Sequence, residues 1–128
     1  MKFARIVFAL AGIYGLVVLL PMYFERARYE HMAPPAVAHL ELYYGFIGVG
    51  VAWQLAFLVI SVNPGRYRLM MLPAIIEKSS YGVAVLVLGF RNLVTPATMA
   101  FGTVDLLLGV LFAVAYLRLG AQLPPGGV

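Results

Sequence analysis

The sequence contains no cysteine, which excludes disulfides, thiolate nucleophiles, Cys-ligated metals or clusters and any dithiol oxidoreductase. Charge is scarce as well: 11% of the residues are Asp, Glu, Lys or Arg, against roughly 25% in a soluble globular domain. Runs of basic residues and basic–aromatic interleaving are missing, so a pI near 9.6 does not point to a nucleic-acid partner. The glycines of YYGFIGVG, residues 43–50, follow no strand-like segment, which removes a dinucleotide fingerprint. A phosphate loop and a Ser-His-Asp arrangement are absent too. No catalytic set, metal site or cofactor is expected.

What the chain does have is apolar length. Hydrophobic residues make up 63% of its 128 positions, and its mean hydropathy is +0.95. Both values belong to a membrane protein whose main partner is the lipid bilayer. One integral membrane domain, residues 1–128, is expected, with spanning helices over about 3–24, 36–62, 69–91 and 97–119. The first run is longer than a signal-peptide core and leaves through Pro21 into Glu25-Arg26, so it reads as a retained helix. Residues 25–35, ERARYEHMAPP, read as an exposed loop. Asn63-Pro64-Gly65 stops the second span, Arg91-Asn92 closes the third, and Thr95-Pro96 opens the fourth. The fold class is therefore all-α, a four-transmembrane-helix bundle with up-down-up-down topology, because the connections are short.

Basic residues set the orientation. Lys2, Arg5, Arg66, Arg68 and Arg118 fall on one side, with Lys78 nearer to it, and Arg26, Arg28 and Arg91 on the other. The excess places both termini in the cytoplasm.

Ionisable residues inside the spans are costly in lipid and face a bundle interior or a cavity. Here they are Glu41, Glu77, Lys78 and Asp105, with His39 and Arg91 nearer the far interface. Glu41 shares a helix face with Gly45, Gly48, Ala52 and Ala56, which suits close packing, so Glu41 is expected to point inward. Lys78 shares a stripe with Gly82, Val85 and Gly89, and Asp105 one with Gly102, Gly109 and Ala113. At 1.5 Å rise per residue Lys78 and Asp105 reach about the same depth, so they are expected to pair. Arg91 lies at the level of Glu41. Gln54 reads as an interhelical hydrogen-bonding residue. His39 reads as an interfacial residue, since two His and scattered carboxylates have no metal-motif spacing. Three readings of the charged set stay open: structural pairs that fix helix register, a polar pocket that binds a ligand or passes protons, or a pair that faces another subunit. In the second, Glu41, Tyr44, Gly45, Lys78, Arg91 and Asp105 are the candidate ligand-binding residues.

The acidic residue at the head of helix two, LPAIIEK opening helix three and the carboxylate high in helix four resemble bacterial DoxX-like four-helix membrane proteins. The chain is also similar, more distantly, to the EXPERA fold of sterol-isomerase and sigma-2-type proteins. That resemblance implies a buried pocket for a lipid-like, quinone-like or amine ligand, with Glu41 and, less directly, Glu25 lining it. The His and second Glu of the isomerases have no counterpart, so isomerase chemistry is not carried over. Small multidrug transporters share the size and span count but carry their essential Glu in helix one, where this chain has no carboxylate. The expectation is a small bacterial inner-membrane protein, non-catalytic, serving as an accessory subunit of a membrane complex or homo-oligomer, or as a binding protein for a hydrophobic small ligand. A small transporter or membrane enzyme is the further alternative.

Overall fold

The computed structural model describes residues 1–32 and 38–125, apart from the side chains of Tyr29 and Met32. Among these residues the chain is all-α, with helices α1 (Lys2–Leu19), α2 (Arg26–Met32), α3 (Leu40–Val62), α4 (Met71–Phe90) and α5 (Pro96–Gln122). With the 3-10 turns at Leu20–Tyr23 and Arg68–Met70, four segments are long and apolar enough to cross a membrane: Lys2–Tyr23, Leu40–Val62, Arg68–Phe90 and Pro96–Gln122. The chain is a small multi-pass membrane protein.

Local chemistry sets the ends of these elements. Pro21 lacks an N–H and crowds the preceding turn, and α1 tightens there into its 3-10 turn. The charged stretch expected to be a loop instead forms α2. Glu25 lies 3.6 Å from Arg28 and Arg26 lies 3.7 Å from Glu30, spacings that support a helical turn. The expected start of the second span near residue 36 lies outside the described residues. Pro73 is tolerated in α4 because it sits in the first turn, where backbone donors have no helical partner. That helix ends at Asn92, whose φ of 58° allows the N–H of Asn92 to reach the Gly89 carbonyl at 3.0 Å and that of Leu93 to reach Leu88 at 2.9 Å. This is a Schellman closure with Asn in the left-handed position. The Thr95 hydroxyl caps α5 by accepting from the Thr98 N–H at 3.2 Å, ahead of Pro96 at the first helical position.

The bundle is closed at one end. Phe8 of α1, Phe57 of α3 and Phe112 of α5 are buried together; Phe8 stacks on Phe112 at 4.1 Å between centroids, and Phe57 meets Phe112 edge-on at 5.0 Å. Ala4, Ala11, Met71, Ala74, Ala115 and Leu119 fill the space around them. These residues come from the first half of α1, the start of α4 and the last turns of α3 and α5, so one end of the bundle holds the apolar core. Arg68 ties that end further, donating to the Tyr116 carbonyl at 3.2 Å and lying 3.9 Å over its ring. Outward faces carry apolar side chains such as Val17, Val59, Ile76, Leu107 and Leu117, the arrangement a bilayer requires and water penalises.

Helix faces decide what reaches the interior. On α4 the buried stripe is Met71, Ala74, Lys78, Gly82, Val85 and Gly89, which contains the stripe read from the sequence. On α5 Gly102 and Gly109 are buried as expected, and the stripe continues through Phe112 where Ala113 was expected. The face expected for α3 is corrected. Its buried residues are Tyr43, Ile47, Gly50, Gln54, Phe57 and Ile60, and Glu41 and Gly45 point away. The cause is that α1 supplies the small residues of this contact: a Cβ on Gly12 would overlap Leu58, and one on Gly15 would overlap the Gln54 amide. Large α3 side chains therefore pack inward against α1 glycines; of the α3 small-residue stripe, Gly45 and Ala52 are left exposed and Gly48 and Ala56 half-buried.

Candidate functional site

Above the apolar core the helices enclose a cavity of about 1040 Å³. α1 packs along α3 and α4 along α5, whereas α3 and α4 touch at few points among the described residues. Two well-packed hairpins joined at one end and spread at the other leave this space between them. Its walls are largely apolar, including Val18, Leu19, Leu42, Phe46, Val85 and Phe101, and its rim carries Glu25, Arg28 and His39.

The floor is polar. Lys78 and Asp105 both face the cavity, and the Lys78 ammonium donates to Asp105 Oδ1 at 3.3 Å. The pairing expected from depth and stripe is therefore present. Lys78 is buried, with 4% of its side chain exposed, and Asp105 is mostly so, at 13%. The ammonium also lies 3.9 Å from Glu77 Oε2 and 5.3 Å from the centre of the Phe57 ring, the uppermost layer of the core. One cation thus faces two carboxylates, a formal imbalance of one negative charge in a low-dielectric site.

Two acceptors there are unsatisfied. Gln54 is 1% exposed and its Nε2 donates to the Gly50 carbonyl of its own helix at 3.0 Å, not across helices as expected. Its Oε1, like Glu77 Oε2, is buried with no hydrogen-bond partner among the described residues. Leaving a buried acceptor without a hydrogen bond costs about 1–3 kcal/mol, more for a charged group, and for Glu77 Oε2 the ion pair with Lys78 offsets part of that cost.

The other candidate residues are not brought to this site. Glu41 is 73% exposed, with Oε1 3.5 Å from His39 Nδ1; the inward orientation read from its glycine neighbours is overturned by the α1–α3 packing. Its expected partner Arg91 is exposed at the end of α4. Tyr44 stacks on Tyr23 at 6.2 Å, and a Cβ on Gly45 would meet nothing within 4 Å. Neighbouring Tyr43 is buried instead, donating to the Met22 carbonyl at 2.8 Å and lining the cavity wall. Glu25 lies on the rim. Glu77 and Gln54 are the functional candidates that sequence reasoning set aside; the signal for Glu77 was its place beside Lys78 within an apolar run.

Among the described residues no group of three or more His, Cys, Asp or Glu could hold a metal ion. No protein-family model, curated protein or solved structure matches the chain.

Proposed function

We propose that this chain is a membrane-embedded binding protein whose cavity takes an amphipathic small molecule, with its apolar body against the walls and its polar end on the floor formed by Gln54, Glu77, Lys78 and Asp105. The observation that carries this reading is the cavity of about 1040 Å³ above a charged layer in which two buried acceptors have no hydrogen-bond partner among the described residues. A purely structural pair needs neither the space nor the spare acceptors. Pockets that bind small molecules have this composition, mostly apolar with a few convergent polar groups, and fall at about 300–1,000 Å³ or slightly beyond. Among lipid, quinone and amine-like ligands, the chemistry favours a polar end that donates hydrogen bonds, above all a cationic amine, because the two buried groups left without a hydrogen-bond partner, Gln54 Oε1 and Glu77 Oε2, are both acceptors.

Binding is non-catalytic in this reading, and the protein sits in a bacterial inner membrane with alternating spans and both termini cytoplasmic. Lys2, Arg5, Arg66, Arg68 and Arg118 support that orientation, since they gather at the closed end of the bundle. The DoxX-like residue pattern is in keeping with the same assignment.

The test is thermal stabilisation of detergent-solubilised protein by dodecylamine, dodecanol and decylubiquinone. Dodecylamine should raise the unfolding temperature most, and Glu77→Gln should remove most of its advantage over dodecanol. Equal responses to all three probes in both proteins would reject the site.

A further inference from the structure

We infer that the ligand reaches this cavity sideways, from the bilayer, through the seam between α3 and α4; the inference rests on the binding reading above. A second concavity, about 310 Å³, lies on that seam and is lined in part by Val49, Trp53 and Ser80. Phe46, Gly50, Glu77 and Tyr81 line both spaces, so these residues lie between the lipid-facing cleft and the main cavity. Gly50 contributes no side chain to that partition. The Phe46 and Tyr81 rings face each other across the seam at 5.9 Å between centroids, one from each helix, where the helices hold few other contacts. Phe46 and Tyr81, together with Glu77, are thus the shared side chains whose rotation would join the two spaces.

The polarity of the two openings separates their roles. Glu25, Arg28 and His39 mark the axial rim as water-facing, and an alkyl chain passing there would leave hydrocarbon for a charged surface. The seam is edged by Val49, which is 63% exposed, and by aromatic rings, so a chain sliding through it stays in apolar surroundings. Glu77 faces both spaces and can meet the polar end before the chain follows. The ligand class is accordingly a bilayer-resident amphiphile and not a water-soluble metabolite.

The absence of native cysteine allows a direct test. Phe46→Cys combined with Tyr81→Cys gives a protein with two thiols that a bifunctional methanethiosulfonate can join across the seam and a reductant can release. The protein is placed in phosphatidylcholine vesicles containing a diazirine-bearing long-chain alkylamine, irradiated, and mapped by mass spectrometry. Asp105 on the cavity floor should be labelled in the released form and lose its labelling in the joined form. A second variant without a crosslink, Val49→Trp, should slow the labelling of Asp105. Equal labelling of joined and released protein, or an unchanged rate in Val49→Trp, overturns the seam route while leaving the cavity a binding site. No labelling of the floor in any form overturns the binding reading and the route together.

Discussion

Lys78 of α4 and Asp105 of α5 meet at 3.3 Å at the level where the bundle changes from packed to hollow. Below them lie Phe57 and Phe112 of the core; above them is the cavity. The pair therefore has two tasks: it holds α4 to α5, and it presents charge to whatever fills the space.

Removing one partner leaves the other charge buried. Lys78→Met and Asp105→Leu should each destabilise the protein, by up to about 3–5 kcal/mol and less where water reaches the lone group. The double variant should lose clearly less than the sum. Unfolding of all four proteins in mixed micelles closes the cycle, and additive losses would show that the two groups are not coupled.

The glycines divide by what surrounds them. A Cβ on Gly82 would fall 2.8 Å from the Gly102 carbonyl oxygen on the facing helix, so Gly82→Ala should push α4 from α5 and cost about 1–3 kcal/mol. Gly45 has open space, and Gly45→Ala should be neutral or stabilising by up to about 1 kcal/mol, since alanine favours the helix. Thermal unfolding of the two variants side by side checks both signs.

Glu41 and Glu77 look alike in the sequence, each a single carboxylate in an apolar helix, but their surroundings differ. Glu41→Gln, at an exposed position, should change stability by no more than about 0.5 kcal/mol and leave the dodecylamine response intact. Glu77→Gln should weaken that response. A loss of response in Glu41→Gln would move the site to the outer surface of α3.

The spans, their stops and the Lys78–Asp105 pair were legible because each depends on features local to one helix: apolar length, turn residues, and depth along a stripe. The inward face of α3 was not. Glycine and alanine mark a face able to approach another helix, but contact needs small residues on one side of the seam only, and α1 supplies them at Gly12 and Gly15. Once Gln54 and Leu58 pack there, Glu41 is carried to the outside. α2 was misread for a related reason, since the alternating charges of residues 25–30 served as a loop signal although they also match helical pairing. The unpaired oxygens of Gln54 and Glu77 depend on tertiary placement, and no sequence pattern announces them.

Orientation follows from the basic residues. A reporter fused after the last residue should be active only when cytoplasmic-facing, because Arg66, Arg68 and Arg118 share the closed end with Lys2 and Arg5. A periplasmic signal would turn the cavity mouth toward the cytoplasm.

The central claim is that the cavity holds a molecule. Native mass spectrometry of gently extracted protein should show a bound small amphiphile at defined stoichiometry in the wild type. Val18→Trp, which places a large ring in the cavity from α1, should come through folded and without it. The same bound mass in both proteins, or bare protein in both under conditions that retain lipids on other membrane proteins, would contradict the account.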